Sequence, residues 1–176
     1  LFEFNLRIDG SSKFIKGYQY GSFPSAAVGW RFTEESFIKP LTEKVGLTNG
    51  KFRASYGSLG NNGVGLYEQQ EVLTTTNYVS TTINGSSANQ IAVPGFQNRR
   101  LINRDLTWEK TTMLNLGLDM AFFENRLTTE LDYYNRLTTG MIRPGDLSIF
   151  LLGAISPPRR NLGDLRNRGV EANFTW

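Results

Sequence analysis

The chain has 176 residues, enough for one ordinary domain, and its 19 Lys and Arg stand against 16 Asp and Glu for a formal net charge of +3 with no block of like charges. That balance gives no support to nucleic-acid binding, and the basic dipeptides Arg99-Arg100 and Arg159-Arg160 read as solvated loop charge. There is no cysteine for a disulfide or a thiolate metal site and no histidine as metal ligand or general base, so neither a metal, a cofactor nor a common hydrolase mechanism is expected.

The informative signal is a period of two. Successive side chains of a strand point to opposite faces, so a half-buried strand alternates. Phe2, Phe4, Leu6 and Ile8 fall on one face while Glu3, Asn5, Arg7 and Asp9 fall on the other, and Asp9-Gly10-Ser11-Ser12 supplies turn chemistry rather than a ligand loop. From Pro24 the alternation resumes with Ala26, Val28, Trp30 and Phe32. Thr33 to Ser36 suits a short helical turn, which Pro40 is expected to stop. Phe52, Ala54 and Tyr56 then oppose Lys51, Arg53 and Ser55. After Trp108 come Leu114, Leu116, Leu118, Met120 and Phe122 against Met113, Asn115, Gly117, Asp119 and Ala121. A tight Glu124-Asn125 turn returns the chain as Leu127, Thr129, Leu131, Tyr133 and Leu137, a β-hairpin by pattern. The last strand sets Val170, Ala172, Phe174 and Trp176 opposite Glu171, Asn173 and Thr175.

Two long segments separate these strands: Gly57 to Asp105, rich in Gly, Asn, Ser, Thr and Gln, and Gly140 to Leu162 with its three prolines. Both are expected to be irregular, and loops of this length are usually functional. The longest apolar run, Ile149 to Ile155, falls far short of the ~20 residues that a spanning helix needs. Alternating strands joined by short turns at one end and long excursions at the other suit an outer-membrane β-barrel. A secreted soluble β-sandwich that binds carbohydrate satisfies the same periodicity and is the alternative. Strand patterns begin at Phe2 and run into Trp176, so both ends look cut, and no signal-peptide pattern is present.

The residues themselves separate the two readings. Arg7-Ile8-Asp9-Gly10-Ser11-Ser12-Lys13-Phe14, Phe23-Pro24-Ser25, Gly29-Trp30-Arg31 and Phe52-Arg53-Ala54-Ser55-Tyr56-Gly57 come first. Asp105-Leu106-Thr107-Trp108-Glu109-Lys110, Asn115-Leu116-Gly117-Leu118-Asp119 and Asn161-Leu162-Gly163-Asp164-Leu165-Arg166-Asn167-Arg168-Gly169 follow in order. Together they resemble successive strands of the SusC/RagA-like TonB-dependent transporters of the bacterial cell outer membrane. The resemblance spans nearly the whole chain apart from Glu68 to Asn103 and Met141 to Arg160. It implies an all-β fold: an antiparallel transmembrane β-barrel segment with long extracellular loops, holding about six strands of a barrel of about 22 with a plugged lumen. Residues 1–176 would then be part of the barrel domain, with the plug domain and the rest of the barrel outside this chain. It also implies uptake of oligosaccharides or peptides, contact with outer-membrane lipid, a SusD-like surface lipoprotein over the barrel, and energy relayed by TonB through a missing N-terminal part.

Candidate site residues are few. Gly57, Gly60, Gly63 and Gly65 with Asn61 and Asn62 lack the Gly-Lys-Ser/Thr of a phosphate cradle and read as flexible loop. Asp119, Glu130 and Asp132 share a face with Arg126 and Arg136, so charge pairing in a polar lumen accounts for them without catalysis. Trp30, Trp108 and Trp176, with Tyr18, Tyr20 and Tyr133, are candidates for an interfacial belt, Trp30 and Trp176 fitting best. Tyr67 and Tyr78 lie in the long polar segment and are the substrate- or partner-contact candidates, with packing within the loop as the plainer explanation.

Overall fold

A computed structural model describes residues 1–84, 87–148, 150 and 155–176, so most of the apolar run 149–155 lies outside the described residues. In chain order the strands are β1 (Phe2–Gly10), β2 (Tyr20–Trp30), β3 (Leu47–Asn61), β4 (Leu73–Asn84), β5 (Ser87–Asn98), β6 (Glu109–Phe122), β7 (Leu127–Thr139), β8 (Ile142–Pro144), β9 (Arg159–Asn161) and β10 (Leu165–Thr175). Six of them form one sheet in the order β1-β2-β3-β6-β7-β10, every neighbour antiparallel. The alternation expected from the sequence is realised in register. One row of paired residues crosses all six strands: Phe2, Val28, Ala54, Leu116, Tyr133 and Val170. The next row towards the short turns runs through Trp30, Phe52, Leu118, Leu131 and Ala172. Between these apolar rows, on the opposite face, lies Gly29, Arg53, Gly117, Asp132 and Glu171.

No second sheet covers the apolar face among the described residues. Phe2, Phe4, Leu6, Ile8, Val170 and Phe174 are each more than half exposed, and a patch of this extent on a water-soluble protein would be an aggregation site. A β-sandwich needs two such faces pressed together, and the described residues supply only one. The cations that fall on this face by alternation, Lys110, Arg166 and Arg168, all sit towards the end with the long connections. There their long stems can lie on apolar surface while the charges reach water.

The two ends of the sheet differ. At the turn end, β6 and β7 are joined through Phe123, Glu124 and Asn125, all with positive φ (54°, 57° and 68°). The turn therefore begins one residue earlier than the Glu124-Asn125 pair suggests. The connection from β2 to β3 holds a 3-10 turn, Phe32–Glu34, and helix α1, Lys39–Val45. Pro40 opens α1 instead of stopping a helix, because in the first turn a missing N–H costs nothing. Gly46 at φ +68° then ends it.

At the loop end the expectation of irregular structure fails in part. β3 continues through Gly57 to Asn61, and the polar stretch beyond it contains the β4–β5 hairpin, a separate two-stranded ribbon with twelve residues in each strand. β8 and β9 form a second, short ribbon in the other excursion. β2 also starts at Tyr20, ahead of Pro24. Under the loops lies the small core of the described residues, Phe14, Val64 and Leu106, with Trp108 and Ile142 packed against it. Trp108 thus belongs to this cluster and not to a belt: its ring meets Phe14 at 5.3 Å and Phe23 at 5.6 Å between centroids. Trp30 and Trp176, by contrast, are exposed at the turn end of the sheet, and Tyr20 at the loop end, the two levels at which an aromatic belt belongs.

Candidate functional site

The polar face carries the charges of the strands in one cluster. Arg53 on β3 donates from Nε and Nη2 to the two carboxylate oxygens of Asp119 on β6, at 2.8 and 2.7 Å, and from Nη2 to Asp132 on β7 at 3.2 Å. The register explains the meeting. Arg53 lies between Gly29 and Gly117, which have no side chains to fill the space, and a Cβ at Gly117 would sit 2.6 Å from Asp132 and 2.7 Å from the guanidinium. The acids need that cation, because Asp119 faces Glu130 and Asp132 faces Glu171 directly across strand pairs, and like charges opposite one another are destabilising. The expected partners are thereby corrected in detail: Arg136 shares the polar face, but Arg126 lies in the turn, and the pairing cation is Arg53. Arg53, Asp132, Arg136 and Glu171, with Tyr134, Asn115 and Asn167, line an open groove of about 670 Å³. Its lining mixes paired charges with amides. It presents no isolated acid–base pair.

The loop end is held to the sheet by partly buried and exposed polar contacts between segments distant in sequence. Asn161 Nδ2 donates to the carbonyls of Thr107 at 2.9 Å and Gly140 at 2.8 Å, and its Oδ1 accepts from the Thr107 N–H at 3.0 Å. Glu109 accepts from the Ile142 N–H at 3.1 Å and from Asn61 Nδ2 at 3.3 Å, so one carboxylate joins β3, β6 and β8. Asp164 accepts from the N–H of Gly140, which has φ +62°. These contacts give a physical purpose to Thr107, Glu109, Asn161 and Asp164 inside the motifs quoted above.

Tyr67 and Tyr78 are not brought together in any described contact. Tyr67 has a positive φ of 60° and is 61% exposed, while its carbonyl accepts from Arg100. Tyr78 is on β4, half exposed, lies over Gly95, and donates its hydroxyl to the Phe96 carbonyl at 3.2 Å. Tyr78 is therefore partly committed to its own ribbon, whereas Tyr67 is the more exposed of the two.

All 176 residues match the profile of the family described as TonB dependent receptor-like, beta-barrel. The chain belongs to this family. It is 34% identical over 186 residues to TonB-dependent receptor P3 of Formosa agariphila, covering 100% of this chain and 17% of that protein. It is 30% identical over 187 residues to the TonB-dependent receptor SusC of Bacteroides thetaiotaomicron, covering 100% of this chain and 18% of that protein. Among solved structures, the RagAB peptide importer in its closed-closed state superimposes with a TM-score of 0.77 at 26% identity, over 98% of this chain and 17% of that one. The sheet is thus an unclosed segment of a SusC/RagA-like TonB-dependent receptor barrel, and the chain spans about one sixth of the length of the relatives it matches. The family is one of receptors and transporters, not a class of enzymes. In a barrel of this family the two faces acquire meaning: alternate residues face lipid and lumen. The edges β1 and β10 would have to pair with further strands, since unpaired backbone groups are not tolerated in lipid.

Proposed function

We propose that the chain forms six adjacent strands in the wall of a bacterial outer-membrane transporter that takes up oligosaccharides or peptides. The observation that carries this reading is the row Phe2, Val28, Ala54, Leu116, Tyr133 and Val170, apolar across every strand and left uncovered, with Arg53 and its carboxylates on the other face. Lipid solvates the first face, and lumen water and a plug domain contact the second. The connections 11–19, 62–108 and 140–164 are extracellular, and those at Gly46 and Phe123 are periplasmic. TonB acts through a part of the protein outside this chain. A SusD-like surface lipoprotein docks on the long loops, where Tyr67 and the ribbon bearing Tyr78 project.

The reading is tested in the complete transporter. Uptake should disappear when TonB is deleted, and protease added to intact cells should cut within residues 62–108. Cleavage only after the outer membrane is permeabilised would invert the topology. Trimming the loop from Tyr67 to Tyr78 should weaken uptake or lipoprotein association at matched barrel abundance. Glu130→Gln and Asp132→Asn should leave uptake in place and remove no hydrolytic activity; loss of oligosaccharide turnover in these variants would replace a transporter with an enzyme.

A further inference from the structure

Where the two long excursions touch, three arginines line a cleft that holds one carboxylate. Arg100 and Ser156 form a parallel bridge, with the Leu101 N–H donating to the Ser156 carbonyl at 3.3 Å and the Ser156 N–H to that of Arg99 at 3.5 Å. The bridge floors a cleft of about 560 Å³ walled by Tyr67, Glu68, Arg99, Arg100, Pro157 and Arg159, within the ~300–1,000 Å³ common for small-molecule sites. Glu68 touches Arg100 Nη1 at 3.4 Å and Arg159 Nε at 3.9 Å, and a single carboxylate leaves the three guanidinium groups with an excess of positive charge. Arg100 is mostly buried: its Nη1 faces Glu68, its Nη2 donates to the Tyr67 carbonyl, and its enclosed Nε meets no acceptor among the described residues, so it charges the floor of the cleft while the half-exposed Arg159 is open to a ligand. Arg99 is exposed at the rim.

A guanidinium fork matches the paired oxygens of a carboxylate or sulfate, and partial burial strengthens the match. The exposed Tyr67 ring beside it offers a flat apolar face of the kind that stacks on a sugar ring. A peptide added as a strand would need free backbone donors and acceptors along an edge. Here the N–H groups of Leu101 and Gly145, the carbonyls of Arg99 and Pro158 and both groups of Ser156 are already engaged, so that mode of peptide docking is closed.

We propose that this cleft binds an acidic oligosaccharide, with Arg159 and Arg99 on the oxyanion of a uronate or sulfated sugar, Arg100 adding charge from the floor, and Tyr67 against its ring. The proposal rests on the importer reading and narrows its substrate class. The full-length transporter, purified in detergent, is titrated calorimetrically with tetragalacturonate, a κ-carrageenan tetrasaccharide, cellotetraose and tetraglutamate. At least one acidic sugar should bind tenfold or more tightly than cellotetraose, with affinity falling as salt rises. Whichever acidic sugar binds more tightly identifies carboxylate or sulfate as the preferred oxyanion. Arg159→Gln, at a half-exposed side chain whose ion pair with Glu68 is a long 3.9 Å contact, should weaken acidic-sugar binding at least tenfold. Arg99→Gln at the rim should weaken it severalfold, and Tyr67→Ala should weaken binding of the sugars alone. Equal binding of cellotetraose, or acidic binding untouched by both arginine variants, overturns the proposal. Tetraglutamate binding as tightly as the sugars, and unaffected by Tyr67→Ala, overturns the sugar assignment in favour of a peptide. Uptake measured with and without TonB separates the two levels of inference. A TonB-dependent importer indifferent to ligand charge defeats only the cleft. A protein that binds acidic sugars but imports nothing defeats the transporter reading, and one that does neither defeats both.

Discussion

The sheet and the loop end of this chain are stabilised by opposite means. In the sheet, backbone ladders run unbroken across six strands, the apolar rows face outward, and the polar groups collect around Arg53. At the loop end the apolar groups turn inward, around Phe14, Val64 and Leu106, and single side chains such as Asn161 and Glu109 join segments far apart in sequence. One region is organised for a hydrocarbon solvent and the other for water, and the boundary falls where β6 begins, between Trp108 and Glu109. A substitution should therefore be judged by which solvent its neighbourhood is organised for.

The largest effect should come from violating the lipid side. Leu116→Arg places a cation near the middle of the apolar rows, at a cost of ~2–4 kcal/mol at the bilayer midplane, while Asn115→Arg points to lumen water. In the complete protein the folded, heat-modifiable fraction in outer membranes should fall for the first and stay near normal for the second. Equal tolerance of the two would count against the division. Next comes overpacking of the water-side core. The Phe23 ring, buried against Trp108, lies so close to Gly60 that a Cβ there would be 2.0 Å from it. Gly60→Val should cost ~1–3 kcal/mol. Hydrogen exchange should show protection lost in residues 62–108 with the β6–β7 ladder unchanged, and uniform loss across both would show that the regions are not independent.

A smaller effect is expected from Asn161→Ala, which removes three hydrogen bonds worth about 0.5–1.5 kcal/mol each at most and lets water replace some of them. External protease should then cut both long loops faster without changing the amount of assembled barrel. The smallest concerns Arg53 and Asp132, which are partly exposed in the groove. A double-mutant cycle with Arg53→Met and Asp132→Asn should give a coupling below ~1 kcal/mol, shrinking with salt. A coupling of several kcal/mol would mean that the groove is drier than its width suggests.

This contrast also explains what could be read in advance. Strands whose faces meet different solvents must alternate, so β1, β6, β7 and β10 were visible from single residues such as Leu116 and Asp119. β4 and β5 have water on both sides, so nothing forces an apolar face, and Thr74, Thr76 and Tyr78 alternate with Thr75, Asn77 and Val79 without contrast. Their β-branched composition was the signal that remained. The part played by Arg53 depended on register, since its two acids lie on β6 and β7, beyond a long excursion whose length does not set the offset between β3 and β6. Trp108 was misplaced for a similar reason: its ring is claimed by Phe14 and Phe23, neither of them near it in sequence. Of the two aromatic candidates in the long polar segment, Tyr67 borders the arginine cleft and Tyr78 does not.

Asn161 has a consequence for how such a wall can change over generations. Because its amide fastens Thr107 and Gly140 at the feet of both long excursions, everything between those feet can be lengthened, shortened or exchanged without dragging β6, β7 or β10 out of step. The clamp separates the strand register, which a sealed sheet cannot give up, from the loop length above it, which the sheet does not constrain.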